Sequence, residues 1–195
     1  MLTVVWDVDD VLNDLMYQWF TRAWMAEHPN CRLSYADLSD NPPHLALGVD
    51  REEYLTSMDA FRRTTEATNL EPNIEVLSWF REHGGHFRHV ALTARPLETA
   101  ADVAHWVVHH FGTWIRCFGF VPTRVGEGVP IYDRDKGEYL HWLGRGHVLV
   151  DDTLENIRQA KALGLKTLVY AQPWNRSVYT TTMLLQELTD MAEAS

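Results

Sequence analysis

The sequence predicts an α/β protein with a parallel sheet. Short apolar runs without alternation, such as residues 2–6, are typical of strands that are buried on both faces of a sheet. Most of these runs are followed by apolar residues at helical spacing, and the connections between them are short. Alternating strands and helices with short connections predict a parallel sheet that is covered by helices on both faces.

The first strand, residues 2–6, leads into a predicted aromatic helix over residues 14–27. From residue 29 to about residue 70 the apolar pattern loosens, and Asn41-Pro42-Pro43 breaks it. A new helix start follows at residues 49–53. We interpret this irregular stretch as a small helical insertion in the α/β order.

Regular order resumes at residue 72. The predicted elements are a helix over 72–83 that Gly84-Gly85 ends, a strand over 89–92 that runs into Thr93, a helix over 97–111, a strand over 115–121, a helix over 137–143, a strand over 147–150, a helix that Thr153 caps and that extends to 163, a strand over 166–170 and a helix from about 182. The chain therefore has five predicted strands.

Composition narrows the function classes. The chain has 195 residues, 46% of them hydrophobic, which suffices for one domain with a modest insertion. Its net charge of -10 disfavours a nucleic-acid polymer or an anionic membrane as a partner. Cys31 and Cys117 lack metal-site or disulfide-framework spacing, so we expect two free thiols. Without a leader-like or membrane-spanning run, a cytoplasmic location is expected.

Acidic residues follow two of the predicted strands. Asp7 and Asp9 come directly after the first strand, and Asp151 and Asp152 after the fourth. Two like charges about 4 Å apart repel by roughly 4 kcal/mol at an effective dielectric constant near 20, so such crowding requires a cation or a proton. If these strands are neighbours, the four carboxylates meet at one sheet edge. Oxygen ligands of this kind suit Mg²⁺ best.

Two further polar residues extend this pattern. Thr93 ends the second predicted strand, and Lys136 precedes the fourth, where its ammonium could lie beside a phosphate and a carboxylate nucleophile. Taken singly, each residue is explained as a helix cap, a turn or a surface charge. Their recurrence at successive strand ends favours a functional site.

Four ordered stretches resemble the motifs of the haloacid dehalogenase-like (HAD) hydrolase superfamily. They are Asp7-Val8-Asp9-Asp10-Val11-Leu12, Val90-Ala91-Leu92-Thr93, Lys136 and Leu149-Val150-Asp151-Asp152. The resemblance implies a Rossmann-like three-layer core with a parallel sheet and a small helical cap inserted after the first strand. Residues 1–13 and 76–195 would form the core domain, and residues 14–75 the cap.

The resemblance also implies roles for these residues. Asp7 would attack phosphorus to form an aspartyl-phosphate, and Asp9 would act as the general acid and base. Thr93, the backbone N–H of Ala94 and the N–H groups after Asp9 would hold the phosphoryl oxygens, and Lys136 would balance charge. The implied Mg²⁺ ligands are Asp7, the backbone carbonyl of Asp9, Asp152, and Asp151 either directly or through water.

Finer stretches resemble the 5'(3')-deoxyribonucleotidases. They are Leu70-Glu71-Pro72, Ala104-His105-Trp106-Val107, Arg134-Asp135-Lys136 and Gln172-Pro173-Trp174-Asn175. Two departures are Asp10, where those enzymes usually have glycine, and Ala94-Arg95-Pro96, which replaces their small polar residues. The presence of Asp9 favours phosphatases over dehalogenases.

These observations predict a Mg²⁺-dependent phosphomonoesterase that acts on nucleoside 5'-monophosphates. The alternatives are a phosphatase for another small phosphometabolite, such as a sugar phosphate, and a catalytically silent protein that binds a phosphorylated ligand. Homodimer formation stays open. The insertion contains six rings that could include a base-stacking residue, although most are expected in its core: Tyr17, Trp19, Phe20, Trp24, Tyr54 and Phe61. Arg62, Arg63 and Arg95 could contact the phosphate or the sugar of a substrate, but each taken singly is expected to be a solvated surface charge.

Overall fold

A five-stranded sheet forms the centre of the structure, a computed structural model in which residues 1–194 are described. Its strands are β1 (Thr3–Trp6), β2 (Arg88–Arg95), β3 (Ile115–Pro122), β4 (Val148–Asp151) and β5 (Lys166–Val169). They lie in the order β3-β2-β1-β4-β5, and every neighbouring pair is parallel. The predicted parallel α/β class is confirmed.

Helices connect and flank these strands. In chain order they are α1 (Leu15–Gln18), α2 (Met25–Glu27), α3 (His44–Leu47), α4 (Arg51–Arg62), α5 (Thr65–Thr68), α6 (Ile74–His83), α7 (Ala100–Phe111), α8 (Lys136–Leu143), α9 (Leu154–Ala162) and α10 (Thr181–Glu193). Short 3₁₀ turns cover Tyr35–Asp37, Gly84–His86 and Leu97–Thr99. The predicted strands and the helices from residue 72 onward lie within one or two residues of these bounds, with two exceptions: β2 extends three residues beyond the predicted end at residue 92, and a 3₁₀ turn covers Leu97–Thr99, where an α-helix was predicted.

The predicted helix over residues 14–27 contains a turn that its apolar spacing does not indicate. Between α1 and α2 the chain winds as a π-helix over Trp19–Trp24. Trp19, Phe20 and Trp24 are all buried in this segment. The apolar stripe therefore predicts the buried face of the segment, whereas the wider winding is a feature of the folded chain alone.

The cap of α9 differs from its prediction. Thr153 precedes the helix as its N-cap residue, but its side chain accepts no hydrogen bond from the helix. Asp151 instead accepts a hydrogen bond from the Thr153 backbone N–H at 2.9 Å. The first turn is therefore linked directly to the end of β4.

The sheet separates two layers of helices. Val4 and Trp6 of β1 face one apolar cluster, which also contains Phe80 from α6 and Phe111 from α7. Val5 faces a second apolar cluster on the other side of the sheet. This second cluster includes Leu140 from α8 and Ala160 from α9. Because successive strand residues point to opposite faces, the apolar run of β1 contributes to both layers.

A third apolar cluster lies in the segment between β1 and β2. It gathers side chains from α1, the π-helix, α4 and α5 together with Trp174, which follows β5. The helical content of this segment agrees with the predicted insertion. The division into a core domain and a cap at residues 14–75 stays a prediction.

Two further expectations concern cysteines and membranes. Cys31 and Cys117 are both free thiols, as predicted. Within residues 1–194, no helix is long and apolar enough to cross a membrane.

Candidate active site

Three neighbouring strands carry the predicted polar residues to one edge of the sheet. β1 pairs with β2 on one side and with β4 on the other. Their carboxyl ends hold Asp7, Thr93 and Asp151, and Asp152 follows directly. This edge is where ligands bind in open α/β sheets.

Asp7, Asp151 and Asp152 form a buried group of carboxylates. Each can offer an oxygen atom that lies within 4.8 Å of the others. Burial, followed by the Asp151 charge, raises the pKa of Asp152 to about 8. Burial likewise raises the pKa of Asp7, and the neighbouring aspartates add to this effect. The group carries more negative charge than its surroundings offset, which fits a hard divalent cation held through oxygen.

Lys136 provides the cation that faces this group. It is the first residue of α8, where the preceding Asp135 caps the helix by accepting a hydrogen bond from Glu138 N–H at 2.9 Å. The Lys136 Nζ lies 2.7 Å from Asp7 Oδ2 and 2.8 Å from Asp151 Oδ2. Burial opposes its charge, but Asp151 and Asp7 outweigh that effect and raise the pKa of Lys136. A buried ammonium therefore bridges the two carboxylates.

The Asp9 carboxylate is directed elsewhere. Arg95 Nε donates to Asp9 Oδ2 at 2.7 Å, and Arg95 Nη2 donates to Asp9 Oδ1. Burial opposes ionisation of Asp9, but Arg95 outweighs it and lowers the pKa of Asp9. Three of the four predicted carboxylates therefore meet, whereas the fourth forms an ion pair. The metal contact predicted for the Asp9 backbone carbonyl stays a prediction.

The expectation that three arginines are solvated surface charges is wrong for two of them. Arg95 is only 5% exposed. The Arg62 side chain is 14% exposed and pairs with the buried Asp59, while the Arg63 side chain is 55% exposed as expected. A charged residue type indicates a surface position, but a buried acidic partner reverses that preference. For Arg95 the sequence does contain a signal, because it follows Thr93 at the same sheet edge as the aspartates.

A cavity of about 180 Å³ lies over this edge. Thr93, Ala94 and Lys136 line it, so the predicted phosphate-binding residues share one space. The Thr93 hydroxyl is buried and has no hydrogen-bond partner among the residues that the structure describes. The insertion contributes the opposite wall through Leu15, Met16, Asn41, Tyr54, Met58 and Arg62. An oxyanion in this cavity could accept the unused Thr93 hydrogen bond.

Most of the predicted stacking rings do not reach this cavity. Of the six rings, Tyr54 lines it, while Tyr17 is exposed and contacts Tyr35 edge to face. The other four are buried in the apolar cluster of the insertion: Trp19, Phe20, Trp24 and Phe61. Their expected role as packing residues is confirmed.

Several side chains that were not among the candidate site residues support the carboxylates. Asn156 donates to both oxygens of Asp151, at 3.0 and 3.1 Å. Trp174 Nε1 donates to Asp152 Oδ2 at 2.7 Å, and Asn175 Nδ2 donates to the Asp152 carbonyl at 2.7 Å. The quoted stretch Gln172-Pro173-Trp174-Asn175 thus contributes directly to the site.

The backbone at position 10 is compatible with aspartate, which stands there in place of the glycine that the resembled enzymes usually have. Its φ of 60° is left-handed, a conformation that glycine adopts at low cost and that aspartate tolerates better than most residues. The Asp10 side chain accepts a hydrogen bond from Met16 N–H at 2.8 Å. This contact links the loop after β1 to the first helix of the insertion.

Comparison of the sequence with family models and with curated proteins gives no match. The fold does resemble solved structures. A haloacid dehalogenase-like hydrolase from Streptococcus pneumoniae has a TM-score of 0.67 at 10% identity over 98% of each chain. A protein from Thermotoga maritima assigned as a beta-phosphoglucomutase has a TM-score of 0.56 at 16% identity, over 97% of this chain and 99% of its own.

A third similar structure holds a metal ion. It is a protein from Bacillus subtilis assigned as a HAD hydrolase and solved with magnesium bound, with a TM-score of 0.52 at 12% identity over 98% of each chain. Likeness at these identities shows the fold. The chain therefore has the fold of the HAD-like hydrolases.

Proposed function

We propose that this chain is a Mg²⁺-dependent phosphomonoesterase in which Asp7 is phosphorylated transiently. One observation carries the proposal: Asp7 lies at the end of the central strand, paired with Lys136 at 2.7 Å and grouped with Asp151 and Asp152. The HAD-like fold supports the same chemistry. A bound Mg²⁺ would be held by these three aspartates and would supply positive charge toward the phosphoryl oxygens.

The residues of the chain divide the reaction into two steps. The Asp7 carboxylate attacks phosphorus, the ester P–O bond breaks, and Asp9, which enters this step protonated, gives its proton to the departing alkoxide. Water then attacks the aspartyl-phosphate, Asp9 takes its proton, and Asp7 is released with inorganic phosphate. Arg95 lowers the pKa of Asp9, which favours transfer of the Asp9 proton to the alkoxide, and the proton taken from water in the second step restores the protonated form. Thr93 and the Ala94 N–H would donate to phosphoryl oxygens.

The substrate that we propose is a small phosphorylated metabolite such as a sugar phosphate. Pockets for drug-sized ligands are usually about 300 to 1,000 Å³, so the cavity of about 180 Å³ suits a compact molecule. The name of the similar Thermotoga maritima protein refers to a phosphorylated sugar. A nucleoside monophosphate has less support, because four of the six candidate stacking rings pack inside the insertion.

Phosphate release from a substrate panel tests this proposal. The panel contains sugar phosphates, nucleoside monophosphates and p-nitrophenyl phosphate, each with Mg²⁺ and with a chelator. We expect release that requires Mg²⁺ and is faster on small phosphometabolites than on nucleotides. Faster release from nucleotides would keep the chemistry and change the substrate. No release from any ester would favour the silent binding protein.

A further inference from the structure

One edge of the Arg62 guanidinium makes no hydrogen bond within residues 1–194. Arg62 ends α4, and its Nη1 donates to Asp59 Oδ1 at 2.9 Å. On the other edge, Nε is buried and finds no acceptor within the described part of the chain. The adjacent Nη2 approaches Asp9 Oδ2 only to 3.9 Å, which is beyond hydrogen-bond reach. Two donors on the same edge of Arg62, Nε and Nη2, therefore make no hydrogen bond with the described residues.

Arg95 demonstrates what such an edge binds. Its own Nε and Nη2 donate to the two oxygens of the Asp9 carboxylate. This two-donor geometry matches carboxylates and phosphates in particular. Arg62 lines the cavity, and of the same pair of atoms its Nε has no partner among the described residues, while its Nη2 has only the 3.9 Å ion pair with Asp9. Because an unpaired buried donor is costly, an oxyanion in the cavity would stabilise this arrangement.

The position of Arg62 indicates which part of the substrate carries that oxyanion. In the proposed mechanism Asp9 protonates the leaving oxygen, and Arg62 Nη2 lies 3.9 Å from Asp9 Oδ2. The free edge is therefore beside the leaving group. Arg62 is also the one charged residue that the insertion contributes to the cavity wall, since its other lining side chains there are uncharged: Leu15, Met16, Asn41, Tyr54 and Met58.

We propose that Arg62 binds a second acidic group of the substrate, carried on the alcohol that leaves. This inference rests on the proposed function and deepens it. The preferred substrates are small phosphate esters whose leaving group bears a carboxylate or a second phosphate, and the two oxyanions share the same recognition chemistry. The cavity of about 180 Å³ favours a short carbon chain between the two groups.

Matched substrate pairs test this inference on the wild-type protein. 2-Phosphoglycolate is compared with 2-hydroxyethyl phosphate, which replaces the carboxylate by a hydroxymethyl group. Glucose 1,6-bisphosphate is compared with glucose 1-phosphate, which lacks the second phosphate. We expect kcat/KM to favour the acidic member of at least one pair by about 10- to 100-fold, as loss of a charge-assisted hydrogen bond predicts. The pair that shows the preference identifies the oxyanion.

Variants connect the preference to Arg62. Arg62→Gln should abolish it, mainly by raising KM for the acidic substrate more than KM for its matched neutral substrate. Arg62→Lys should restore part of it, because lysine keeps the charge but lacks the two-donor edge. Arg63→Gln is the matched control, since Arg63 is exposed and pairs with Glu98. Its substrate ratio should equal that of the wild type.

The outcomes separate this inference from the proposed function. Mg²⁺-dependent turnover of p-nitrophenyl phosphate without preference in either pair would overturn the inference and leave the proposed function intact. An equal loss on all substrates in Arg62→Gln would also overturn it. No turnover of any ester by the wild type would overturn both. If thermal unfolding shows that Arg62→Gln is unfolded, the inference is tested by the kcat/KM ratios of the wild type on the two substrate pairs and by those of Arg62→Lys.

Discussion

Arg95 donates hydrogen bonds to both carboxylate oxygens of Asp9, across the ends of two neighbouring strands. Its Nε donates to Asp9 Oδ2 at 2.7 Å, and Nη2 donates to the other oxygen. Arg95 is the last residue of β2, which pairs in parallel with β1, and Asp9 follows β1 by three residues. The proposed acid and base is thus fixed by a residue of the adjacent strand.

Replacing Arg95 should therefore affect both stability and catalysis. Arg95→Gln leaves the Asp9 carboxylate without its main partner, and breaking a buried ion pair costs about 3 to 5 kcal/mol. We expect denaturant unfolding to show a loss of this order. Phosphate release should fall more for alkyl esters than for p-nitrophenyl phosphate, because a good leaving group needs less protonation. Arg88→Gln, at the exposed start of the same strand, should change neither quantity.

Replacing Asp7 should stop turnover and leave the fold intact. Asp7→Asn preserves the shape of the side chain but removes the nucleophilic carboxylate, so phosphate release should fall at least about 1,000-fold. Thermal unfolding should show a melting temperature no lower than that of the wild type, because Lys136 keeps Asp151 as its partner and one of three crowded carboxylates is removed. Asp40→Asn, on the surface, should retain full activity. Near-normal turnover by Asp7→Asn would remove Asp7 from the mechanism.

Mg²⁺ should stabilise the folded protein through the three buried aspartates. A ligand that binds only the folded state raises stability, by about 2.7 kcal/mol at 100 times its Kd. We expect Mg²⁺ to raise the melting temperature of the wild type, and Asp152→Ala to shift the required Mg²⁺ concentration sharply upward. Asp190→Ala, on the surface of α10, is the control. An unchanged Mg²⁺ titration in Asp152→Ala would contradict the proposed metal site.

His89 should make the fold sensitive to acid independently of the active site. It accepts a hydrogen bond from Trp6 Nε1 through Nδ1 at 3.0 Å, and its Nε2 lies 2.8 Å from the Gly84 carbonyl. These contacts fit the neutral ring, and burial lowers the pKa of His89 to about 4. The unfolded chain, in which the pKa of histidine is about 6.5, binds more protons between these values, so stability falls as pH drops from about 6.5 to 4.

A variant isolates this contribution from that of the carboxylates. His89→Gln removes the titrating ring, so its stability should fall less steeply than that of the wild type between pH 6.5 and 4. The difference in the change of unfolding free energy should be on the order of 3 kcal/mol. His141→Gln, at an exposed position, should follow the wild-type slope. Parallel curves for His89→Gln and the wild type would show that the fold does not lower the pKa of His89.

The sheet and the carboxylate group could be predicted from local sequence. Buried parallel strands require unbroken apolar runs, so the polar residues that end them, such as Asp7, Thr93 and Asp151, stand out. Parallel strands also bring their carboxyl ends to the same edge, so the meeting of these residues depends only on which strands are neighbours. Lys136 could be assigned to the same edge of the sheet, because it begins the one short helix that precedes β4.

The burial of Arg62 and Arg95 could not be predicted in this way. Arg95 depends on an acidic partner that is distant in sequence, and Arg62 pairs with Asp59 of its own helix, whose burial the sequence does not indicate. A charged residue is otherwise expected at the surface. The pairing of Asp9 with Arg95 spans 86 residues. The π-helix at Trp19–Trp24 escaped prediction for a related reason, since α- and π-windings both place those aromatic residues on a buried face.

Trapping of phosphorylated Asp7 tests the central claim most directly. The protein is mixed with Mg²⁺ and a phosphate ester that it hydrolyses, quenched in acid within milliseconds, and digested for mass spectrometry. Asp7→Asn is the control. We predict a phosphoryl group on the peptide that contains Asp7, lost on treatment with hydroxylamine and absent from the control. Mg²⁺-dependent phosphate release with no phosphorylated Asp7 at any quench time, together with turnover by Asp7→Asn, would contradict the mechanism.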